Sequence, residues 1–265
     1  MTLYPHWAVE RGVFSADEEA RLLEVLSVRD IAYFPFMGHE FRKSEEIAQC
    51  AVARGSCFFV RESSASENWP RELWGTPEQF GCQTYYPIFR AHVLNETYRI
   101  MSLAEFCWTQ ATCFQEFGGA RQAVFLRPND GFKSFEGALV SQSDFEKWVD
   151  RLRFLQVSPS TQLLISTPAS ITVEWRVLIV DRRVVGGSQY KPVVAKELPD
   201  DVRAYAGKVA QEVAWPVRAY ALDVGLTSGG FKVLEASSLL CVAWYESDAG
   251  KIVDALQPIL EKVYT

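Results

Sequence analysis

Residues 220–238 read YALDVGLTSGGFKVLEASS. Two apolar runs flank Thr227-Ser228-Gly229-Gly230, the pattern of an antiparallel hairpin closed by small turn residues. Each run carries one carboxylate among apolar neighbours: Asp223 in ALDVG and Glu235 in FKVLEAS. An acidic group inside an apolar strand needs a partner, because an unpaired charge in a low-dielectric setting is costly. If Gly225 pairs with Phe231, Asp223 stands opposite Val233. Glu235 then lies two residues further along the same face, and Ser237 falls on that face too. Two convergent carboxylates repel unless a cation sits between them, and hard oxygen ligands suit Mg²⁺, which bridges to substrate phosphates. The alternative places one carboxylate in a core ion pair and the other at a solvated edge. A one-residue bulge would send the two to opposite faces.

The segments upstream supply cations. In Ile171–Val180, alternation puts Thr172, Glu174 and Arg176 on one face and Ile171, Val173, Trp175 and Val177 on the other. Glu174 and Arg176 either form a structural ion pair or line a cleft. In the second case Arg176 stabilises negative charge at a transferred phosphoryl or adenylyl group. Lys191, at the end of the return strand Val184–Lys191, joins it there. Further upstream, Phe125-Leu126-Arg127-Pro128 brings a cation to a strand end, and Lys133 follows in the Gly-bounded run 130–137, DGFKSFEG. Such a loop can offer backbone N–H groups to phosphate oxygens. Arg127 and Lys133 therefore either hold nucleotide phosphates or are solvated hairpin cations. No G-x-x-x-x-G-K-[ST] loop occurs. Under the assumed register Lys232 points away from Asp223, and is either a nucleotide neighbour from another direction or a solvated lysine.

Around these segments the pattern predicts helices over Ser15–Asp30, Ser102–Phe117, Ser143–Leu155, 199–215 and 247–264, the last bent at Pro258. The first three carry capping-box spacing: Ser15 with Glu18, Ser102 with Glu105, Ser143 with Glu146. Strands are predicted over Cys57–Val60, Gln122–Arg127 and Gln162–Ser166, with another in the Gly131–Val140 stretch and an irregular connection over residues 62–90. Antiparallel pairs with interspersed helices indicate an α+β fold. The 265 residues carry a net charge of −6, which argues against a globally basic nucleic-acid-coating surface. The six Cys form no C-x-x-C pair and the three His are isolated, so a zinc site is not expected. No amino-terminal signal pattern and no apolar run of about 20 residues occur, so a cytoplasmic, non-membrane chain is expected.

In order, FLRPNDGFKSFEG, QLLIS, VEWRVLIVDRRVVGGSQY and YALDVGLTSGGFKVLEASS resemble the ATP-grasp superfamily. They are most similar to a clade long labelled a domain of unknown function and proposed to contain RNA-ligase-like enzymes of RNA repair and phage conflict. The resemblance covers residues 95–265. It implies two α+β lobes, about 95–165 and 166–265, gripping ATP between them, preceded by a small α/β domain over 1–94. It implies that Arg127 and Lys133 contact ATP phosphates and that Leu164, Ile165 and Ser166 form the adenine hinge. Glu174 and Lys232 are implied near the nucleotide, Arg176 and Lys191 at the reacting group. Asp223, Glu235 and Ser237 are implied at Mg²⁺. The family commonly reads E-x-N where this chain has Glu235-Ala236-Ser237, and a Ser hydroxyl is a shorter, weaker metal ligand than an Asn carbonyl. The implied activity is an ATP- and Mg²⁺-dependent ligase joining RNA ends through an adenylylated intermediate. A carboxylate–amine ligase acting through an acylphosphate and a non-catalytic nucleotide-binding module are the alternatives. The acceptor and the oligomeric state are not indicated by any motif.

Overall fold

The computed structural model describes residues 7–40, 50–67, 69–131, 133–195 and 198–264. By their contacts the residues divide into two compact units, one of residues 1–77 with 171–265, the other of 78–170. This division does not coincide with the boundary expected at 94/95. Residues 78–94 pack with the segment that follows them, and 1–77 pack with 171–265.

The first unit opens on β1 (Trp7–Glu10), α1 (Ala16–Val28), β2 (Tyr33–Phe36) and β3 (Val52–Arg54). The three strands form a parallel sheet of order β2-β1-β3, with α1 as the crossover from β1 to β2. Ser15 caps α1 by accepting from the Glu18 N–H at 3.2 Å, and Leu22 and Leu26 supply its buried face. The Cys57–Val60 run is not a strand but the start of a helix, α2 (Cys57–Ser64). The Ser56 hydroxyl accepts from the Phe59 N–H at 3.2 Å and caps it. A cap four residues before Val60 outweighs the β-propensity of a short aromatic run. The irregular connection expected over 62–90 contains two short helices, α3 (Arg71–Trp74) and α4 (Cys82–Ile88).

The second unit is built on an antiparallel sheet of order β4-β7-β5-β6: β4 (Tyr98–Ser102), β5 (Ala123–Pro128), β6 (Ala138–Ser141) and β7 (Gln162–Ser166). The helices α5 (Leu103–Phe117) and α6 (Phe145–Phe154) cover it through a core of Phe106, Phe114, Phe145, Val149, Leu126, Leu163 and Ile165. Ser102 caps α5 as its spacing predicts. Ser143 does not cap α6. Ser141 accepts from the Asp144 N–H at 3.1 Å, and a short 3-10 turn leads into the helix.

The chain then returns to the first unit. β8 (Val173–Val180), β9 (Arg183–Lys191), β10 (Ala219–Thr227) and β11 (Gly230–Ser238) form an antiparallel sheet of order β11-β10-β8-β9. α7 (Asp200–Glu212) buries Val202, Ala206, Val209 and Ala210. α8 (Ala249–Tyr264) runs through Pro258. Among the described residues no helix is long and apolar enough to cross a membrane.

Candidate functional site

The hairpin β10–β11 turns on Ser228-Gly229, with Thr227 opposite Gly230, whose φ of +94° a side chain would disfavour. Gly225 therefore pairs with Lys232, not with Phe231. Carried through unbroken, that register would put Glu235 on the face opposite Asp223. A bulge prevents it: Val224 faces Val233, but Asp223 faces Glu235, leaving Leu234 as the extra residue. The two carboxylates thus share a face as directly opposed residues, not as a diagonal pair. Ser237 lies two residues further on that face. The same register corrects Lys232, which stands opposite Gly225 and so belongs to the Asp223 face.

The rung extends across the sheet. Asp223 is opposite Arg176 and Arg176 is opposite Ser188, giving Glu235–Asp223–Arg176–Ser188 over four strands. The next rung is Lys232–Gly225–Glu174–Lys191. The Arg176 guanidinium forks onto Asp223 with two 2.8 Å bonds, Nε to Oδ1 and a terminal nitrogen to Oδ2. Both side chains are buried, at 8% and 6% exposure. The remaining terminal nitrogen donates to the Ala243 carbonyl at 3.3 Å. A second bulge, between Glu174 and Trp175, makes Tyr190 the extra residue of β9. The Tyr190 hydroxyl donates to Glu174 at 2.5 Å and reaches Asp223 at 3.3 Å. Lys191 pairs with Glu174 at 3.1 Å. The Tyr190 ring stacks on Tyr245, centroids 5.5 Å apart and planes 4° from parallel, and Arg176 lies 5.3 and 5.4 Å from the two ring centroids.

These contacts set the charges. Burial acts to lower the Arg176 pKa, but the Asp223 carboxylate beside it outweighs burial, and the net direction is upward. The Tyr190 phenol is pushed far up, first by burial and then by the Asp223 and Glu174 carboxylates. Arg176 is a fixed cation and Tyr190 a fixed neutral donor.

In the second unit Arg127 is buried near the end of β5, opposite Leu164. Lys133 is exposed in the loop before β6 with φ +54°. Asp130 braces that loop by accepting from the Ser134 N–H at 3.2 Å, and Phe132 lies outside the described residues. Leu164 and Ile165 sit on a central strand paired to β4 on one edge and β5 on the other. Their backbone groups are thus engaged in the sheet, and the Ile165 side chain belongs to the core. Ser166 ends the strand, and its buried hydroxyl has no hydrogen-bond partner among the described residues.

Of the expected residues, Glu174, Arg176, Lys191 and Asp223 are in one contact network, with Glu235, Ser237 and Lys232 on the same face. Tyr190 and Tyr245 were not legible from sequence. Tyr190 joins the face only through the bulge, and Tyr245 belongs to a loop without periodicity. The donor set fits Mg²⁺ in chemistry. Glu235 is half-buried, and the Ser237 hydroxyl is buried without a hydrogen-bond partner among the described residues. Asp223 also offers hard oxygens, both already bonded to Arg176. Among the described residues no group of three or more His, Cys, Asp or Glu is arranged to hold a metal on its own. Glu235, Asp223 and Ser237 would therefore hold the ion together with substrate oxygens.

A search of curated proteins returns no match. Among solved structures, the D-cycloserine synthetase DcsG aligns at 14% identity with a TM-score of 0.63, over 96% of this chain and 99% of its own. A RimK-domain ATP-grasp protein from Sphaerobacter thermophilus aligns at 17% and 0.61, over 94% and 98%. A D-alanine–D-alanine ligase from Bacillus anthracis, complexed with ATP, aligns at 13% and 0.60, over 97% and 98%. At these identities the similarity establishes the fold, an ATP-grasp fold. The profile of an ATP-grasp domain, family 3 of its clade, matches residues 58–256, most of the chain. The protein therefore belongs to this clade family of ATP-grasp domains and is an ATP-dependent ligase of that type.

Proposed function

We propose that the chain is an ATP·Mg²⁺-dependent ligase whose reacting centre is the Glu235–Asp223–Arg176 rung. The observation that carries this reading is the Arg176–Asp223 fork with Glu235 directly opposite. A fixed guanidinium on the same face as the acidic pair is preorganised to meet negative charge at a transferred phosphoryl or adenylyl group. Bound at Glu235, Asp223 and Ser237, Mg²⁺ would neutralise phosphate charge there. Arg176 keeps its orientation because Asp223 and the Ala243 carbonyl hold three of its nitrogens. Tyr190 holds a proton between Glu174 and Asp223, which keeps those two carboxylates from repelling each other. Lys191 and Lys232 add positive charge at the neighbouring rung. Arg127 and Lys133 are the proposed phosphate cations of the second unit. The adenine hinge is placed at Ser166, the strand end, because Leu164 and Ile165 have their backbone engaged.

For the acceptor, similarity to the RNA-ligase-like clade supports RNA ends joined through adenylyl transfer. A carboxylate–amine reaction is the second reading, favoured by the net charge of −6 and by D-alanine–D-alanine ligase among the structures of the same fold. Incubation with ATP labelled at the α or γ phosphate, Mg²⁺ and each acceptor separates them. AMP and an adenylylated 5′-phosphate are expected. ADP and phosphate with a carboxylate–amine pair would replace the first reading by the second. No turnover with either, despite ATP binding, would leave a nucleotide-binding module.

A further inference from the structure

Glu18 was legible as the third residue of a capping box, yet its carboxylate does not turn back to the helix start. It is 5% exposed and accepts from the backbone N–H groups of Trp244 and Tyr245 at 2.9 and 3.0 Å. Arg54, 1% exposed at the end of β3, donates to Glu18 at 2.6 Å and to the carbonyls of Leu239 and Leu240 at 3.2 and 2.8 Å. Its guanidinium sits 3.7 Å from the Phe14 ring centroid and 4.3 Å from that of Trp244. The Gly55 N–H reaches Leu240 at 3.1 Å, and Arg21 donates to the Tyr245 carbonyl. The loop 239–245, which follows the Glu235–Ser237 strand, is thus fastened along its length by α1 and β3. Both fastening residues precede residue 58, where the family match begins.

The fastened loop ends in Tyr245, whose φ of +51° is a left-handed conformation that a bulky residue adopts only when its surroundings impose it. Glu18 bonds the N–H of that same residue. The conformation turns the Tyr245 ring parallel onto Tyr190 and toward Arg176. Tyr190 in turn bonds Glu174 and Asp223, and the loop's Ala243 carbonyl takes an Arg176 N–H.

We infer that the buried Glu18–Arg54 pair positions the reacting centre, by holding Tyr245 against Tyr190 and so fixing Arg176 and Asp223. The amino-terminal segment thereby completes the site from behind without touching substrate. The inference rests on the proposed nucleotide site, and its test has one arm that does not. Glu18→Gln keeps the size of the side chain but replaces an acceptor with an NH₂ facing either two N–H groups or a guanidinium. Hydrogen exchange of the full chain without nucleotide should accelerate in residues 243–246 and also in 186–191, around Tyr190. Tyr245→Ala should accelerate 186–191 while leaving 52–56 protected. In the second arm, ATP with Mg²⁺ is titrated at a temperature where circular dichroism reports each variant folded. Each single variant should weaken affinity about tenfold, equivalent to ~1.4 kcal/mol. The double variant should be no worse than either single one, since both cut the same relay. Acceleration confined to 243–246, or losses that multiply in the double variant, would overturn the relay. If Glu18→Gln does not fold, Tyr245→Ala decides alone: unchanged exchange in 186–191 overturns it. Wild-type protein that binds no ATP would remove the nucleotide reading and leave the exchange arm to judge the positioning.

Discussion

Two buried arginine–carboxylate pairs lie in the first unit, and they are built for different ends. Arg54 gives Glu18 one terminal nitrogen and spends another on the Leu239 and Leu240 carbonyls, between the rings of Phe14 and Trp244. Burial wins there: the Arg54 pKa is lowered to about 10, with Glu18 opposing the shift only in part. Arg176 forks two nitrogens onto Asp223. There the carboxylate wins over burial, and the pKa goes up. The difference lies in how many donors meet the carboxylate and how many meet neutral carbonyls. The first pair ties four chain segments together. The second holds a cation in a fixed direction on a sheet face that also carries Glu235, Glu174 and two lysines. A buried charge pair is therefore informative about function only through what else shares its face.

That contrast can be broken from either side. The largest expected effect on the fold is at the fastener. Arg54→Ala leaves Glu18 and two carbonyls buried without the guanidinium, and should cost about 3–5 kcal/mol, the usual range for stripping one partner from a buried pair. Urea denaturation reads this directly, and a loss below about 1 kcal/mol would demote the pair to an ordinary contact. At the site the effect should fall on turnover instead. Arg176→Lys keeps the charge but not the fork. It should lower kcat by about 10²-fold, the scale of losing one preorganised donor, with much less change in the urea midpoint than Arg54→Ala. Equal losses of stability at both positions would erase the distinction.

The smallest effect is spectroscopic. Because burial and two carboxylates raise the Tyr190 pKa, the folded protein keeps this phenol protonated through the ordinary tyrosine range near pH 10. A raised folded value means that its contribution to stability is complete below the unfolded pKa of about 10 and is lost as pH rises above it. The tyrosinate absorbance of the wild type minus that of Tyr190→Phe should therefore stay flat across pH 9–11 while the chain remains folded. A step near pH 10 would show a phenol open to solvent.

Much of this was legible in the sequence. The order of strands and helices from Gln122 onward, the caps at Ser15 and Ser102, and the face shared by Glu174 and Arg176 follow from alternation and cap chemistry. The shared face of Asp223 and Glu235 was reached with a register one residue off and no bulge. In the fold, a tighter turn shifts the register and the Leu234 bulge shifts it back, so two opposite displacements cancel. Alternation cannot find a bulge, because a bulge is fixed by pairing with a neighbouring strand and not by local preference. The same limit hid Tyr190. Tyr245, Glu18 and Arg54 were hidden for another reason: their contacts span more than 180 residues of sequence, and a capping position explained Glu18 well enough locally. The helix at 57–64 was missed because a Ser cap was passed over in favour of a short aromatic run.

The central claim is that the Asp223–Glu235 rung carries a Mg²⁺-dependent nucleotide site, and calorimetric titration of ATP with and without Mg²⁺ tests it most directly. Wild-type protein should bind ATP more tightly with Mg²⁺ than without it. In Asp223→Asn combined with Glu235→Gln that Mg²⁺-dependent gain should vanish, while circular dichroism shows the fold retained. A double variant that is folded and binds ATP·Mg²⁺ as tightly as wild type would contradict the account.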